Sequence, residues 1–119
     1  LVHRLDRDTS GLMVIAKHDV AHRKLAQQLK SRWLKRHYLA LCWGTPEPRI
    51  GTVRTNLTRS PENRRKMKAT AKDGKHAVTH YVVKKVLLKG LASLVECKLE
   101  TGRTHQIRVH MEYLGHSIM

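Results

Sequence analysis

The 119-residue sequence is poor in acidic residues and cysteine, and it lacks long apolar runs. Nine Asp and Glu stand against 24 Lys and Arg, so the formal net charge is +15 and the pI is near 10.5. That balance points to a polyanionic partner such as nucleic acid. Cys42 and Cys97 lie far apart without a Cys-x-x-Cys motif, which indicates neither a zinc knuckle nor a disulfide scaffold. Without a run of about 18 apolar residues, no membrane-spanning helix is predicted.

The length fits one domain, and an apolar content of 40% is enough for a modest core. The sequence begins at Leu1 without a signal peptide and stops on the apolar pair Ile118-Met119. We therefore expect residues 1–119 to be one partial domain of a longer chain, truncated at both ends. A cytoplasmic, reduced and monomeric protein is expected.

Hydrophobic periodicity predicts a mixed α and β domain. From Thr104 onward, apolar positions recur at helical spacing on a stripe that includes His110 and Met111. The predicted elements are a buried strand at Leu12–Ala16, a helix from Asp19 (its N-cap) to about Ser31, strands at Trp33–Trp43, His76–Leu88 and Leu91–Leu99, the last two antiparallel, and a helix from Thr104 to Gly115.

Residues 49–75 differ from the rest of the chain in charge and pattern. They hold nine Lys or Arg against Glu62 and Asp73, a local net charge of +7, and show almost no apolar periodicity. This pattern is typical of a long basic loop or an irregular hairpin, and loops of that length inside compact domains are usually functional. Asp73-Gly74, near the end of the segment, is a hairpin-type turn signal.

The densest polar cluster is His-Arg-Leu-Asp-Arg-Asp-Thr-Ser-Gly at residues 3–11. If residues 3–8 are extended, Arg4, Asp6 and Asp8 share one face. A carboxylate beside arginines is stabilised as the anion and is available as a nucleophile or base. The alternative is a turn in which Asp8 or Ser10 caps neighbouring backbone.

Two metal-dependent interpretations of this region fail. Asp6-x-Asp8 resembles the carboxylate pair of a magnesium phosphotransferase, but the further acidic ligands that magnesium needs do not follow in the sequence. His18 and His22 have the i, i+4 spacing of a zinc helix, but no third ligand follows at a recognised spacing. We therefore predict no metal site.

Three separated blocks resemble one family in order and spacing. His3–Leu12 resembles the signature of the RNA pseudouridine synthases that modify large-subunit ribosomal RNA and, in some members, transfer RNA. Lys35–Ala40, closing at Gly44, resembles that family's second motif, and Leu99–Met111 resembles the third almost residue for residue.

The resemblance implies an α+β catalytic core with a mixed, largely antiparallel sheet and flanking helices. It also implies an isomerase that detaches uracil from ribose at N1 and rejoins it through C5, without cofactor or metal. Asp6 matches the catalytic aspartate, Arg103 the arginine that pairs with it, and Tyr38 the tyrosine that packs on the target base. Arg4 matches the arginine that enters the RNA stack where the flipped nucleotide had been. Whether the sugar or the uracil is attacked first stays open.

The basic segment supplies the remaining predicted RNA contacts. Cationic side chains bind phosphates and position RNA without reading its sequence. Ribosomal RNA is the favoured substrate and transfer RNA the second one, while a non-catalytic RNA-binding module derived from the same fold is the alternative function. The segment's predicted contact residues are Arg59, Arg64, Arg65 and Lys66.

Overall fold

A computed structural model describes residues 2–63 and 65–119 of the chain. The chain forms two compact units, one that ends at Lys35 and one that begins at Arg36. Within the described ranges, no helix is long and apolar enough to cross a membrane.

The first unit contains helix α1 at Asp19–Lys30. The predicted N-cap, Asp19, is wrong by one residue, because Nδ1 of His18 accepts the capping hydrogen bond from the backbone N–H of Ala21 at 3.2 Å. Asp19 instead lies in the first turn, where its negative carboxylate interacts favourably with the positive end of the helix dipole. The apolar stripe that ends at Leu29 is half-buried, with largely exposed residues opposite it. The helix predicted here is therefore confirmed, and its surface is amphipathic.

The buried strand predicted at Leu12–Ala16 is wrong. These residues form neither helix nor strand, and Leu12 is 95% exposed. An apolar run becomes a strand only where a neighbour completes its hydrogen-bond ladder, and no strand of the described residues pairs with this segment. The backbone N–H of Val14 donates instead to Nε2 of His3 at 3.0 Å.

The second unit is a five-stranded sheet with one helix beside it. All pairings are antiparallel, in the order β1-β5-β4-β2-β3, so the predicted α+β class and the predicted antiparallel pair are confirmed. The elements are β1 at Arg36–Trp43, β2 at Ile50–Arg59, β3 at Met67–Thr70, β4 at Lys75–Leu87, β5 at Ala92–Leu99 and α2 at Gln106–Tyr113.

The core lies between α2 and one face of the sheet. Because side chains alternate along a strand, every second residue of β1, β5, β4 and β2 points to this face. Met111 of α2, which is fully buried, packs on a cluster that includes Val95 and Tyr81. Val109, two residues earlier in α2, packs on Leu57 and Ala77. The helix thereby fixes the end of the sheet from which its own N-terminal loop departs.

Most of the basic segment 49–75 is a hairpin rather than a loop. β2 and β3 pair from Asn56↔Thr70 to Arg59↔Met67, so the loop alternative is wrong and the irregular hairpin is what forms. The apolar alternation is short because β3 has only four residues. Gly74, with a φ of +85°, makes the predicted turn into β4. Arg64 lies outside the described residues.

Candidate active site

Asp6 lies in an irregular stretch of the first unit. The backbone N–H of Thr9 donates to the carbonyl of Asp6 at 3.0 Å, which closes a turn at Arg7 and Asp8. The extended conformation considered for residues 3–8 therefore ends at Asp6. Because the chain turns after Asp6, the expectation that Asp8 shares a face with Arg4 and Asp6 does not follow from an extended backbone. Asp6 is half-buried, whereas Arg4 is exposed. The turn leaves Asp6 partly accessible within the polar cluster of residues 3–11.

Tyr38 lies in β1 opposite Cys97 of β5 and packs, half-buried, on the core. Arg36 precedes it by two residues and so shares its face. Burial lowers the pKa of the Arg36 guanidinium, while Tyr38 acts to raise it and the neighbouring positive charge of Arg103 lowers it. The structure thus brings the predicted residues Tyr38 and Arg103 close to the same arginine. The sequence pattern alone did not single out Arg36.

Arg103 lies in the loop between β5 and α2 and is bound at two points. Its backbone N–H donates to Oε1 of Gln106 at 3.0 Å, and its side-chain Nε–H donates to the carbonyl of His76 at 2.8 Å. The guanidinium of Arg36 lies against Gly102, so a Cβ there would displace it. The helix predicted from Thr104 begins two residues later, because the N-cap of α2 is His105, in the left-handed region with φ +54°.

Both cysteines are buried behind this region and chemically quiet. Burial raises the pKa of the Cys42 thiol to about 11 and that of Cys97 to about 12, so both stay protonated at neutral pH. A thiol in that state is a poor nucleophile. With the thiols unreactive, the chemical groups that act on Arg36 are the phenol of Tyr38 and the guanidinium of Arg103.

A family model described as RNA pseudouridylate synthase matches residues 1–113 of the chain. The chain belongs to this family. The match spans the blocks that contain Asp6, Tyr38 and Arg103, so the resemblance seen in the sequence is confirmed at the level of the family.

Individual relatives of the family agree. The chain is 51% identical over 121 residues to the ribosomal large subunit pseudouridine synthase D of Zymomonas mobilis, covering 100% of this chain and 37% of that protein. It is 46% identical to the chloroplastic RNA pseudouridine synthase 2 of Oryza sativa, covering 97% and 27%. The chain therefore spans well under half the length of these relatives.

A solved structure shares the fold. Human RNA pseudouridylate synthase domain containing 1 superposes with a TM-score of 0.84 and 30% identity, covering 98% of this chain and 51% of that one. This superposition supports the α+β fold class that the antiparallel sheet of the second unit already shows.

Three of the segment's predicted RNA-contact residues lie at the far end of the β2–β3 hairpin. Arg59 ends β2, and the exposed residues Arg65 and Lys66 lie in the turn that leads to β3. The turn is tied together by the backbone N–H of Ser60, which donates to the carbonyl of Lys66 at 2.7 Å. The predicted contact Arg64 lies outside the described residues. The hairpin presents the positive charge at a defined end of the sheet.

β3 pairs with β2 only from Asn56 to Arg59, so the rest of β2 has no partner strand on that side. A cleft of about 370 Å³ opens there. Arg54, Asn56 and His76 contribute polar groups, and the exposed ring of Tyr113 comes from α2. No local pattern in the sequence indicates this cleft, because its lining residues come from four separate elements.

Proposed function

We propose that the protein is an RNA pseudouridine synthase, with uridines of large-subunit ribosomal RNA as the leading substrate and transfer RNA as the second one. The observation that carries the proposal is the family match over residues 1–113, which includes Asp6, Tyr38 and Arg103. The ribosomal preference is supported by the names of bacterial relatives about 50% identical to the chain. Those relatives also support a cytoplasmic location.

In the proposed reaction the bond between N1 of uracil and C1′ of ribose breaks, the base turns, and a bond from C5 to C1′ forms. The proton on C5 leaves to solvent as N1 gains one. Asp6 acts as the nucleophile or base, and Arg103 supplies the positive charge that pairs with it. Tyr38 packs on the base and relays the C5 proton to solvent, since its hydroxyl gives up its own proton as it accepts the one from C5.

The target uracil is hidden in stacked RNA and must be flipped out, which costs a few kcal/mol. Arg4 is exposed, and its planar guanidinium can stack in the gap that the base leaves. The cationic hairpin end, with Arg59, Arg65 and Lys66, is proposed to hold the phosphates. These contacts position the RNA and leave the choice of uridine to the shape of the substrate.

Release of tritium from C5-labelled uridine in ribosomal and transfer RNA transcripts tests this proposal. Release from the wild-type protein is expected to persist in EDTA and to be lost in Asp6→Asn, with RNA affinity within severalfold. Asp8→Asn is the matched control, because Asp8 is exposed and lies only two residues along the chain; it should keep most of its activity.

An absence of release from both RNAs with intact binding would replace this proposal with the non-catalytic RNA-binding module. Release that EDTA abolishes would favour the magnesium chemistry rejected from the sequence. A large loss of RNA affinity in Asp6→Asn would assign Asp6 a structural role.

A further inference from the structure

Beneath the Arg103 loop lies a side-chain amide with all of its hydrogen-bonding capacity in use. Gln106 is 2% exposed. Its Oε1 accepts from the Arg103 backbone N–H at 3.0 Å and from the Thr101 hydroxyl at 2.7 Å. Its Nε2 donates to the Val78 carbonyl at 3.0 Å and to Oγ1 of Thr79 at 2.9 Å. An amide offers two acceptor and two donor sites, so Gln106 is saturated.

The chain of hydrogen bonds continues into the core. Thr79 and His110 are fully buried, and Oγ1 of Thr79 lies 2.7 Å from Nδ1 of His110. Nε2 of His110 lies 2.9 Å from Oγ1 of Thr55 in β2. A continuous network therefore runs from the Arg103 loop through α2 and β4 to β2.

The direction of each bond follows from the donors. Since Gln106 donates to Thr79 Oγ1, the Thr79 hydroxyl proton finds its partner in Nδ1 of His110. Buried hydroxyl protons are seldom left without an acceptor. His110 then carries its own proton on Nε2 and donates it to Thr55. Burial lowers the pKa of His110 to about 4, which keeps the ring neutral and the directions unchanged at neutral pH.

We propose that Gln106 is a positioning residue, itself held by Thr79 and His110, that fixes the backbone of Arg103 so that its guanidinium points at the reacting groups. This inference rests on the proposed function of Arg103. With the backbone N–H on Gln106 and Nε on the His76 carbonyl, the two Nη groups form the remaining face of the guanidinium. That face has the geometry for two parallel bonds to a carboxylate.

A purely structural role predicts a different outcome. Buried polar groups can often be replaced by apolar groups of similar volume at little cost, provided that no partner is left unpaired. A network kept only for stability should therefore affect the whole second unit when it is broken. A positioning network should affect Arg103 locally and lower the turnover number rather than substrate affinity.

The test uses Gln106→Met, with Thr79→Val as the milder variant in case the first does not fold. Thr52→Val is the matched control, since Thr52 also bonds a histidine ring, His80 at 2.8 Å, but at an exposed site. Backbone amide exchange of Arg103 is measured beside that of Val95 in the core of β5. Steady-state tritium release gives kcat and KM.

In Gln106→Met or Thr79→Val we expect Arg103 amide exchange to rise about tenfold or more beyond any rise at Val95. The kcat should fall by about tenfold to a hundredfold, with KM within about threefold. Thr52→Val should match wild type in both measurements.

Unchanged Arg103 exchange, an equal rise at Val95, or faster Arg103 exchange with unchanged kcat would each overturn the proposal. The two readouts also separate it from the proposed function. If the wild-type protein is inactive on every RNA, the proposed function fails, and a catalytic positioning role fails with it even where exchange shows that Gln106 holds the loop. If wild type is active and only the Gln106 prediction fails, the proposed function stands.

Discussion

The segment that carries Asp6 and the loop that carries Arg103 are held in different ways. Among the described residues 2–35 no residue is buried, and the Asp6 turn is closed by one backbone hydrogen bond, from Thr9. The Arg103 loop instead rests on Gln106, which is buried and makes four hydrogen bonds. The second unit therefore holds Arg103 through a buried side chain, whereas a turn and the hydrogen bond from Val14 to His3 shape the backbone around Asp6.

Amide exchange rates should differ most between helix α1 of the first unit and the central strands of the second unit. α1 has 12 residues and none of them is buried, and isolated helices of that length are marginal in water. We expect amides of α1 to exchange on the order of a thousandfold faster than those at the centre of β4 and β5. Hydrogen–deuterium exchange followed by NMR measures this. Equal protection in both regions would mean that the chain unfolds as one cooperative unit.

Glycine substitution tests the same contrast at single positions. Gly74 has φ +85°, and an added Cβ would collide with the Leu57 carbonyl, so Gly74→Ala should cost about 3 kcal/mol of unfolding free energy. Gly11 has φ +139° with open space around it, so Gly11→Ala should cost about 1 kcal/mol. Urea unfolding measures both.

Gly115→Ala is the control for those two variants. Gly115 has nearly the same φ as Gly74, +86°, but no atom lies within 4 Å of its ideal Cβ. It therefore reports backbone strain without collision. If Gly74→Ala is no worse than Gly115→Ala, the close approach of Leu57 does not constrain the turn.

Acid should weaken the support of the Arg103 loop through His110. Its pKa is about 4 in the folded protein against 6.5 unfolded, so the unfolded state binds more protons between these values. Stability from neutral His110 is complete above pH 6.5 and is lost as the pH falls towards 4. The groups bonded to its ring are the hydroxyls of Thr79 and Thr55. Between pH 7 and 5 we expect a loss of about 2 kcal/mol.

Urea unfolding at both pH values measures this loss, with His110→Gln as the control for every other titrating group. The variant lacks the histidine and should show a flatter pH dependence. The same slope in wild type and variant would contradict a neutral, buried His110.

The basic hairpin end should give the mildest change. Replacing Arg65 and Lys66 with Ala should weaken RNA binding on all sequences and lower the slope of log K against log salt by about one unit for each phosphate that is no longer neutralised. The matched control replaces Lys84 and Lys85, exposed near the other end of β4. Binding titrations at several salt concentrations measure the slopes. Equal slopes in the two double variants would mean that the hairpin end does not face the RNA.

Local signals were sufficient for most elements of the fold. Helical spacing predicted α1 and α2, alternation predicted β4, and runs ended by turn signals predicted β1 and β5, each to within a few residues. The failures occur where a distant partner decides. Leu12–Ala16 has the composition of a strand but no ladder partner among the described residues. In the basic hairpin, β3 has only four residues, and the apolar residues of β2 are three and four apart rather than two.

The candidate site divides in the same way. Asp6, Tyr38 and Arg103 were found because each stands inside a dense motif. Arg36 and Gln106 were missed, although they lie in two of those motifs, because their importance comes from what they contact. Arg36 approaches Gly102 across the strand pairing, and Gln106 bonds to Val78 and Thr79 of β4.

Three features of this protein could be derived from the sequence alone: its charge, the hydrophobic periodicity of its main elements, and the motifs that place it in its family. All three depend only on residue type and on spacing along the chain. The remaining features depend on tertiary contacts. A histidine on an apolar helical stripe became a neutral link between Thr79 and Thr55 only once β2 and β4 paired beneath α2. Thr55, Thr79 and His110 are separated by up to 55 positions along the chain. The order of the strands in the sheet brings these residues together, and the hydrogen bonds beneath Arg103 depend on that order.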